Sequence, residues 1–475
     1  VTFGDLVRPD AQNVGTSPHV PTSRAAGAAM TPDQAQVLAV LRAVLPPILD
    51  APIDLPADML VAVDLEWHRE TGDLELIGVG NADIVIQLRY PFPVAVTDAW
   101  IDWFRALVGS RTTVYQNWDA DMRKLREYMI ADIAHHRHVE DTMQAHAVLH
   151  CEKDHDLGSL VGTYGSLPPS YKDLRDVAPR EYNAADVVST VAVWRGLEVE
   201  LGLDPEAAAV YRTQNLALLR EVVIRANETP RLLDAARVLR LKTHADERKA
   251  TAQGIAEAYC GYPMLLSSPK QVQNWLYAVE RFPVQWNKDR QDPSPTADKD
   301  ALAALRAQHG NFDQEWEQAN ELTTTYVADR LALHDAHPFL EAKALYNAGF
   351  RVGKYADACC DGGVPRASVT PRISLHTQTS GRHSMTQPPV TQWKGEVLRM
   401  IRPRPRHAWV GFDMNQVELR IDAVLTGDEP SILAFANGWD IHTMNCCDVF
   451  GYEQPLDLVD PHSSALAARW RTVYQ

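Results

Sequence analysis

The chain has 475 residues, 45% of them apolar, and carries 46 Lys and Arg against 62 Asp and Glu, a net charge of −16. That length implies two or three domains with a sizeable core, and the charge excludes a generally basic nucleic-acid coat while leaving room for a local basic groove. No apolar run is long enough to span a membrane, no secretory leader is evident, and the six cysteines lack a Cys-x-x-Cys spacing, which argues for reduced thiols in a cytoplasm-like compartment and against zinc.

Residues 1 to about 30 are rich in Pro, Ala, Ser and Thr without periodicity and read as an arm. A helix is predicted from Thr31, with Pro32 in its first turn, Val37, Leu38, Leu41 and Leu45 on one face, and Pro46-Pro47 ending it. Met59–Trp67 reads as a buried strand in which Asp64 and Glu66 alternate with Val63 and Leu65, so both carboxylates share one face. Carboxylates that close repel each other unless a cation sits between them. Next, Val114–Asp121 reads as a short strand entering a helix, with Asn117 and Asp121 in an Asn-x-x-x-Asp spacing and Asp119 as the alternative acid. His135, His136 and His138 read as a solvated helix end rather than a metal site. Glu181–Asp186 is helical, which places Tyr182 and Asp186 one turn apart on one face.

In that order, Asp-x-Glu, Asn-x-x-x-Asp and Tyr-x-x-x-Asp resemble the three motifs of the proofreading 3′–5′ exonuclease family, as do Asp156–Gly165 and Tyr171–Asp173 between them. The resemblance implies a ribonuclease H-like mixed sheet within an α/β domain over residues 53–203, after an arm and helix over 1–52. It also implies two Mg²⁺ or Mn²⁺ ions held by Asp64, Glu66, Asp121 and Asp186, with Tyr182 orienting the attacking water at a single-stranded DNA 3′ end.

From Asp204 the pattern is wholly helical: Leu216, Leu219, Val223, Val238, Leu239 and Leu241 are the expected apolar positions of long amphipathic helices. A Ser-Pro-Lys-Gln helix at 268–271, a Pro/Asp loop from Pro283 to Pro295 and a helix from Ala297 to His309 follow. Between 362 and 408 acids are sparse, while Arg366, Arg372, Arg382, Lys394, Arg399, Arg402, Arg404 and Arg406 accumulate, a pattern suited to phosphate contact. Trp409–Phe412 reads as a buried strand ending on Asp413, and a helix with Val417, Leu419, Ile421 and Leu425 as its apolar positions follows it.

Asp413-x-x-Gln-Val-Glu-Leu-Arg420 resembles the first palm motif of family A DNA polymerases, the bacterial polymerase I type. Thr377–Ser384 is similar to that family's Thr-Gly-Arg-x-Ser signature, and Ser268–Leu276 to its Ser-x-Lys-Gln-Leu segment. The resemblance implies an all-helical thumb over 204–345 and an α+β partial palm over 346–475 that stops at the start of the fingers. It places Asp413 among the catalytic metal ligands, Gln416, Glu418 and His442 at the nucleotide, and Lys270, Arg382 and Arg420 on DNA. Primer–template DNA and deoxynucleoside triphosphates are the implied partners. The fingers Lys and Tyr and the second palm carboxylate do not occur before Gln475, and no stretch resembles the family's 5′-nuclease domain. The chain therefore reads as an N-terminal portion, completed by further residues or by a C-terminal part in trans, in a bacterial or phage-infected cytoplasm or an organelle. The competing readings are a stand-alone 3′–5′ exonuclease with a DNA-gripping C-terminal half, and a non-catalytic split or decayed polymerase subunit.

Overall fold

The computed structural model describes residues 30–165, 167–287, 294–309, 323–332, 336–411, 414, 416–439, 441, 442 and 444. They fall into two compact units, the first ending at Arg402 and the second beginning at Pro403, and each is described by itself.

A seven-residue strand, β2 (Val61–Trp67), lies near the centre of the first unit's main sheet. Its odd residues Val61, Val63 and Leu65 join one apolar cluster, while Ala62 joins another on the opposite face. Strand parity thus assigns Asp64 and Glu66 to the Ala62 face. The sheet runs β1–β4–β3–β2–β5–β6, with β1 at Ile48–Leu49, β3 at Leu74–Gly80, β4 at Val85–Arg89, β5 at Thr112–Tyr115 and β6 at His138–Asp141. β2 is antiparallel to β3 and parallel to β5, which is parallel to β6. The parallel strands β2, β5 and β6 consequently end at the same edge.

Helices cover both faces. Before the sheet, α1 (Pro32–Val44) starts on a Thr31–Gln34 capping box and buries Leu38 and Leu41. On the Val61 face lie α2 (Thr97–Ser110) and α3 (Trp118–Glu127), through Phe104, Leu107, Trp118 and Met122. On the Ala62 face lie α4 (Thr142–Leu149), α5 (Leu157–Tyr164) and the 25-residue α6 (Pro179–Leu203), which buries Ala184, Ala185, Val187 and Trp194.

After α7 (Pro205–Val210) a helical run with two π segments continues to Ala226. A short strand, β7 (Arg231–Leu232), then leads into α8 (Ala235–Cys260). Along α8, Val238 and Leu241 are buried as expected, but Leu239 is 52% exposed, because one helical stripe reaches the core and Leu239 lies beside it. Helices α9 (Pro269–Asn274), α10 (Lys299–His309), α11 (Thr324–Ala332) and α12 (Pro338–Asp357) enclose a separate core around Trp275, Leu305, Phe339 and Leu345. In that helical region Glu341, 2% exposed, lies 2.6 Å from Arg306 Nη2 and 3.6 Å from Arg330 Nη1.

Short hairpins follow: β8 (Cys360–Asp361) with β9 (Val364–Pro365), and β11 (Arg372–Ser374) with β12 (Ser384–Thr386). Between them β10 (Ser368–Val369) returns to pair with β7, and Leu233 bridges Ile401. A short helix, α13 (Gly395–Leu398), completes this part.

In the second unit α14 (Val417–Thr426) and α15 (Glu429–Ala436) form a helix pair. The strand expected over Trp409–Phe412 is absent from 409–411, and Trp409 and Val410 are 61% and 84% exposed. A strand needs a neighbour for its ladder hydrogen bonds, and among the described residues none pairs with this segment. Ile421 and Leu425 are likewise exposed rather than buried. Among the described residues no helix is long and apolar enough to cross a membrane.

Candidate active site

Asp64 and Glu66 project from the C-terminal half of β2 toward α6, which presents Asp186 and, one turn earlier, Tyr182. Oxygen atoms of Asp64, Glu66 and Asp186 all lie within 4.8 Å of one another, an arrangement that can hold a metal ion. Asp121, on α3, reaches β2 beyond its pairing with β5, where its Oδ1 accepts the Leu65 N–H at 3.3 Å. Burial is the main cause holding the Asp64 carboxyl well above its ordinary range, with Asp186, Glu66 and Asp121 adding to it. Burial raises Asp121 as well, against the Leu65 N–H. Glu66 is pushed up to about 7 by burial, with Arg175 opposing. Such a set favours a divalent cation, and the hard oxygen donors suit Mg²⁺ or Mn²⁺.

Several side chains hold the acids in place. Asn183 follows Tyr182 and is fully buried; its Nδ2 donates to Asp64 Oδ2 at 2.7 Å and its Oδ1 accepts from Gln87 Nε2 at 2.9 Å. Gly78, opposite Asp64 in β3, makes room for it, since a Cβ there would fall 2.2 Å from Asn183 Oδ1. The 3-10 turn Pro169–Leu174 contributes Tyr171, whose OH donates to Asp186 at 2.6 Å, and Lys172, whose Nζ lies 2.5 Å from Asp186 and 3.3 Å from the Tyr182 OH. Arg175 reaches Glu66 at 3.0 Å. Sequence reasoning assigned none of Lys172, Arg175 and Asn183 a role, although Lys172 lies within the Tyr171–Asp173 segment and Asn183 within the Tyr182–Asp186 motif that it singled out.

The neighbouring acids take different positions. Asp119 is 5% exposed and faces away from this cluster: its Oδ2 lies 3.1 Å from Arg372, and its Oδ1 accepts from Asn227 at 3.1 Å. Asn227 also accepts the Ile373 N–H at 2.6 Å. Ile373 and Leu375 pack against the sheet's apolar core, so the β11–β12 hairpin is fastened to the helix that carries Asp121. Asp141 is fully buried and accepts the N–H groups of Trp118 and Gln144 at 2.7 and 3.0 Å, fixing the starts of α3 and α4. His136 is not part of a solvated helix end: it is 1% exposed and its Nε2 pairs with the Tyr115 OH at 2.8 Å, a core histidine satisfied by its neighbours.

Within the basic stretch, Arg372 is engaged by Asp119, Arg366 by Asp361 at 3.2 Å and Arg399 by Glu396. Arg382 is exposed in the β11–β12 connection, and Lys270 is exposed on α9. In the second unit Gln416 begins α14 with a left-handed φ of 52°, Glu418 and His442 are exposed, and Arg420 stacks over the Phe435 ring at 4.5 Å. Asp413 lies outside the described residues.

Residues 53–201 match the family model of 3′–5′ exonucleases, and residues 236–462 match that of DNA polymerase family A. DNA polymerase I of Chloroflexus aurantiacus is 28% identical over 309 residues, covering 62% of this chain and 29% of that protein. The thermostable DNA polymerase I of Thermus aquaticus is 33% identical over 147 residues, 29% of this chain and 17% of its own. DNA polymerase I of Rhizobium leguminosarum is 24% identical over 85% of this chain and 38% of its own. The chain thus spans well under half the length of these relatives. Its fold is similar to the POL domain of Pol1 from M. smegmatis, solved in complex with DNA primer-template and dNTP, with a TM-score of 0.61 and 19% identity over 87% of this chain and 66% of that one.

Proposed function

As a member of DNA polymerase family A that carries a 3′–5′ exonuclease domain, this chain, we propose, removes nucleotides from the 3′ end of single-stranded DNA and forms part of a template-directed polymerase. The convergence of Asp64, Glu66 and Asp186 within 4.8 Å carries the editing reading. Asp64, Glu66 and Asp186 would hold the metal ions, with Asp121 as the fourth carboxylate ligand of the set. Divalent ions bound there would supply an activated water and stabilise the oxygen that leaves the phosphorus. Tyr182 would orient that water, and Asn183 holds Asp64 in place through its Oδ2. The strand order β4–β3–β2–β5–β6 supports a ribonuclease H-like domain over 53–203. The separate core around Trp275 and Phe339 supports a thumb over 204–345, with a partial palm over 346–475.

The synthetic reading rests on the family. Asp413 would ligate the polymerase metals, Gln416, Glu418 and His442 would meet the nucleotide, and Lys270, Arg382 and Arg420 would hold primer–template DNA. A C-terminal portion, continuous or in trans, would supply the rest of that site in the cytoplasm. Editing is tested by replacing Asp64 and Glu66 with Ala. Degradation of a 3′-labelled oligonucleotide is expected to fall by several orders of magnitude, as loss of two-metal stabilisation implies; retention of wild-type degradation overturns the assignment.

A further inference from the structure

Two cations lie against the acid cluster. Lys172 Nζ sits 2.5 Å from Asp186, and Arg175 lies 3.0 Å from Glu66. Their situations differ. Lys172 is 28% exposed, its ammonium lies 5.0 and 5.2 Å from the ring centroids of Tyr182 and Tyr171, and it contacts the Tyr182 OH as well as Asp186. It therefore stands between the acid on α6 and the tyrosine one turn before it. A divalent ion shared by Asp64, Glu66 and Asp186 needs the same carboxylate, and an ammonium and a dication in contact with one carboxylate repel each other. Lys172 and Arg175 also line an open cleft of about 460 Å³ together with Arg69 and the acids Asp33, Asp173 and Asp176, so a displaced ammonium has both space and negative charge to move toward. Its flexible four-carbon stem can make that move without moving the backbone.

We infer that Lys172 is an internal counter-ion of the acid cluster, which yields Asp186 to the metal and turns its ammonium to a phosphate of the single strand entering beside Tyr182. The inference rests on the exonuclease reading. Before metal binds, Lys172 limits the mutual repulsion of Asp64, Glu66 and Asp186. Afterwards it supplies positive charge on the substrate side. No bond is made or broken by it, and Arg175 keeps its place on Glu66 throughout.

The test is Mn²⁺ binding to the full chain without DNA, followed by electron paramagnetic resonance, for the wild type, Lys172→Met and Asp64→Ala/Glu66→Ala. Removing the competing cation should tighten Mn²⁺ binding by roughly tenfold, the scale of one charge-assisted hydrogen bond. In EDTA Lys172→Met should melt below the wild type and at saturating Mn²⁺ level with it, while its affinity for a single-stranded oligonucleotide in Ca²⁺ falls. Unchanged or weaker Mn²⁺ binding by a folded Lys172→Met overturns the inference. If the two-acid variant nonetheless loses Mn²⁺, the exonuclease reading survives; if that variant binds Mn²⁺ as the wild type does, the reading itself fails. Should Lys172→Met not fold, Lys172→Arg gives the opposite arm. Its planar fork holds Asp186 more firmly, so Mn²⁺ must bind more weakly, and equal or tighter binding refutes the exchange.

Discussion

Replacing Arg372 by Ala takes from Asp119 its nearest cation. Asp119 is 5% exposed and lies 3.1 Å from Arg372; what remains is the Asn227 amide at 3.1 Å and Arg123 at 3.8 Å. Two unit charges that close attract by roughly 5 kcal/mol at an effective dielectric near 20. The Arg372 side chain is 35% exposed, however, so solvent screening and the two remaining partners reduce the expected net loss to about 1–2 kcal/mol. Asp119→Asn removes the charge while keeping an oxygen for Asn227, and Arg372→Ala should then cost little more. Urea unfolding followed by tryptophan fluorescence, with Trp118 adjacent to the site, measures the four corners of the cycle. A coupling of about 1–2 kcal/mol is expected between the two positions. If the two costs simply add, the hairpin is not held to α3 by this pair. Mn²⁺ affinity at the Asp64 cluster should stay within about twofold in both single variants, because Asp119 faces away from it.

Gly78→Ala touches no acid, yet its Cβ would fall 2.2 Å from Asn183 Oδ1, so Asn183 must shift and release Asp64 Oδ2. Mn²⁺ affinity is expected to drop about tenfold or more, as for loss of an outer partner of a metal ligand; an unchanged isotherm shows that Asn183 does not position Asp64. The Glu66 contribution to stability in the metal-free protein should be lost as pH rises. Glu66 sits near 7 against an ordinary 4.5 and Asp141 near 6 against 3.8, so each binds more protons in the folded chain than in the unfolded one. His136, His146 and His376, held near 4 against 6.5, act the other way, so the share of Glu66 is read as a difference between two proteins. That share is full below the unfolded value and is lost as pH climbs through about 7. In EDTA the melting temperature of Glu66→Gln relative to the wild type should therefore rise from about pH 5 to about pH 8, and saturating Mg²⁺ should lessen the rise, since it pairs with the ionised Glu66. A difference between the two proteins that stays constant with pH contradicts this account.

Period-two alternation was enough to put Asp64 and Glu66 on one face of a strand, and a four-residue step was enough to align Tyr182 with Asp186, because both relations are local. What supports those acids is not local. Asn183 acquires its task from Gly78 and Gln87, which lie in strands that pair with β2 and its neighbour. Those strands were not singled out in the sequence, since β4 is buried on both faces and shows no clean alternation. Asp119 meets Arg372 across 253 residues, a distance no spacing rule spans. His136 looked like part of a polar run but is enclosed by Tyr115, and only the packing of β5 against the turn after α3 decides that. The apolar run at 409–412 has strand composition, but composition does not provide the neighbour that would complete the ladder.

The pairing of β7 with β10 has a consequence for the order in which a growing chain can reach this structure. Leu232 and Ser368 are partners although 368 − 232 = 136 residues separate them. Closing so wide a loop adds little in free energy, about 0.6 kcal/mol for each doubling of length, but the contact cannot form before Ser368 has been made. The sheet and α6 are complete by Leu203, and the helices between Ala235 and Asp357 build a core among themselves. On a ribosome both can condense while the β7–β10 pair is still open, in keeping with domains folding as units during synthesis. Throughout that interval Asp119 has neither Arg372 nor the Ile373 segment against it, and the six-stranded sheet with its helices stands assembled but unfastened until the hairpin emerges.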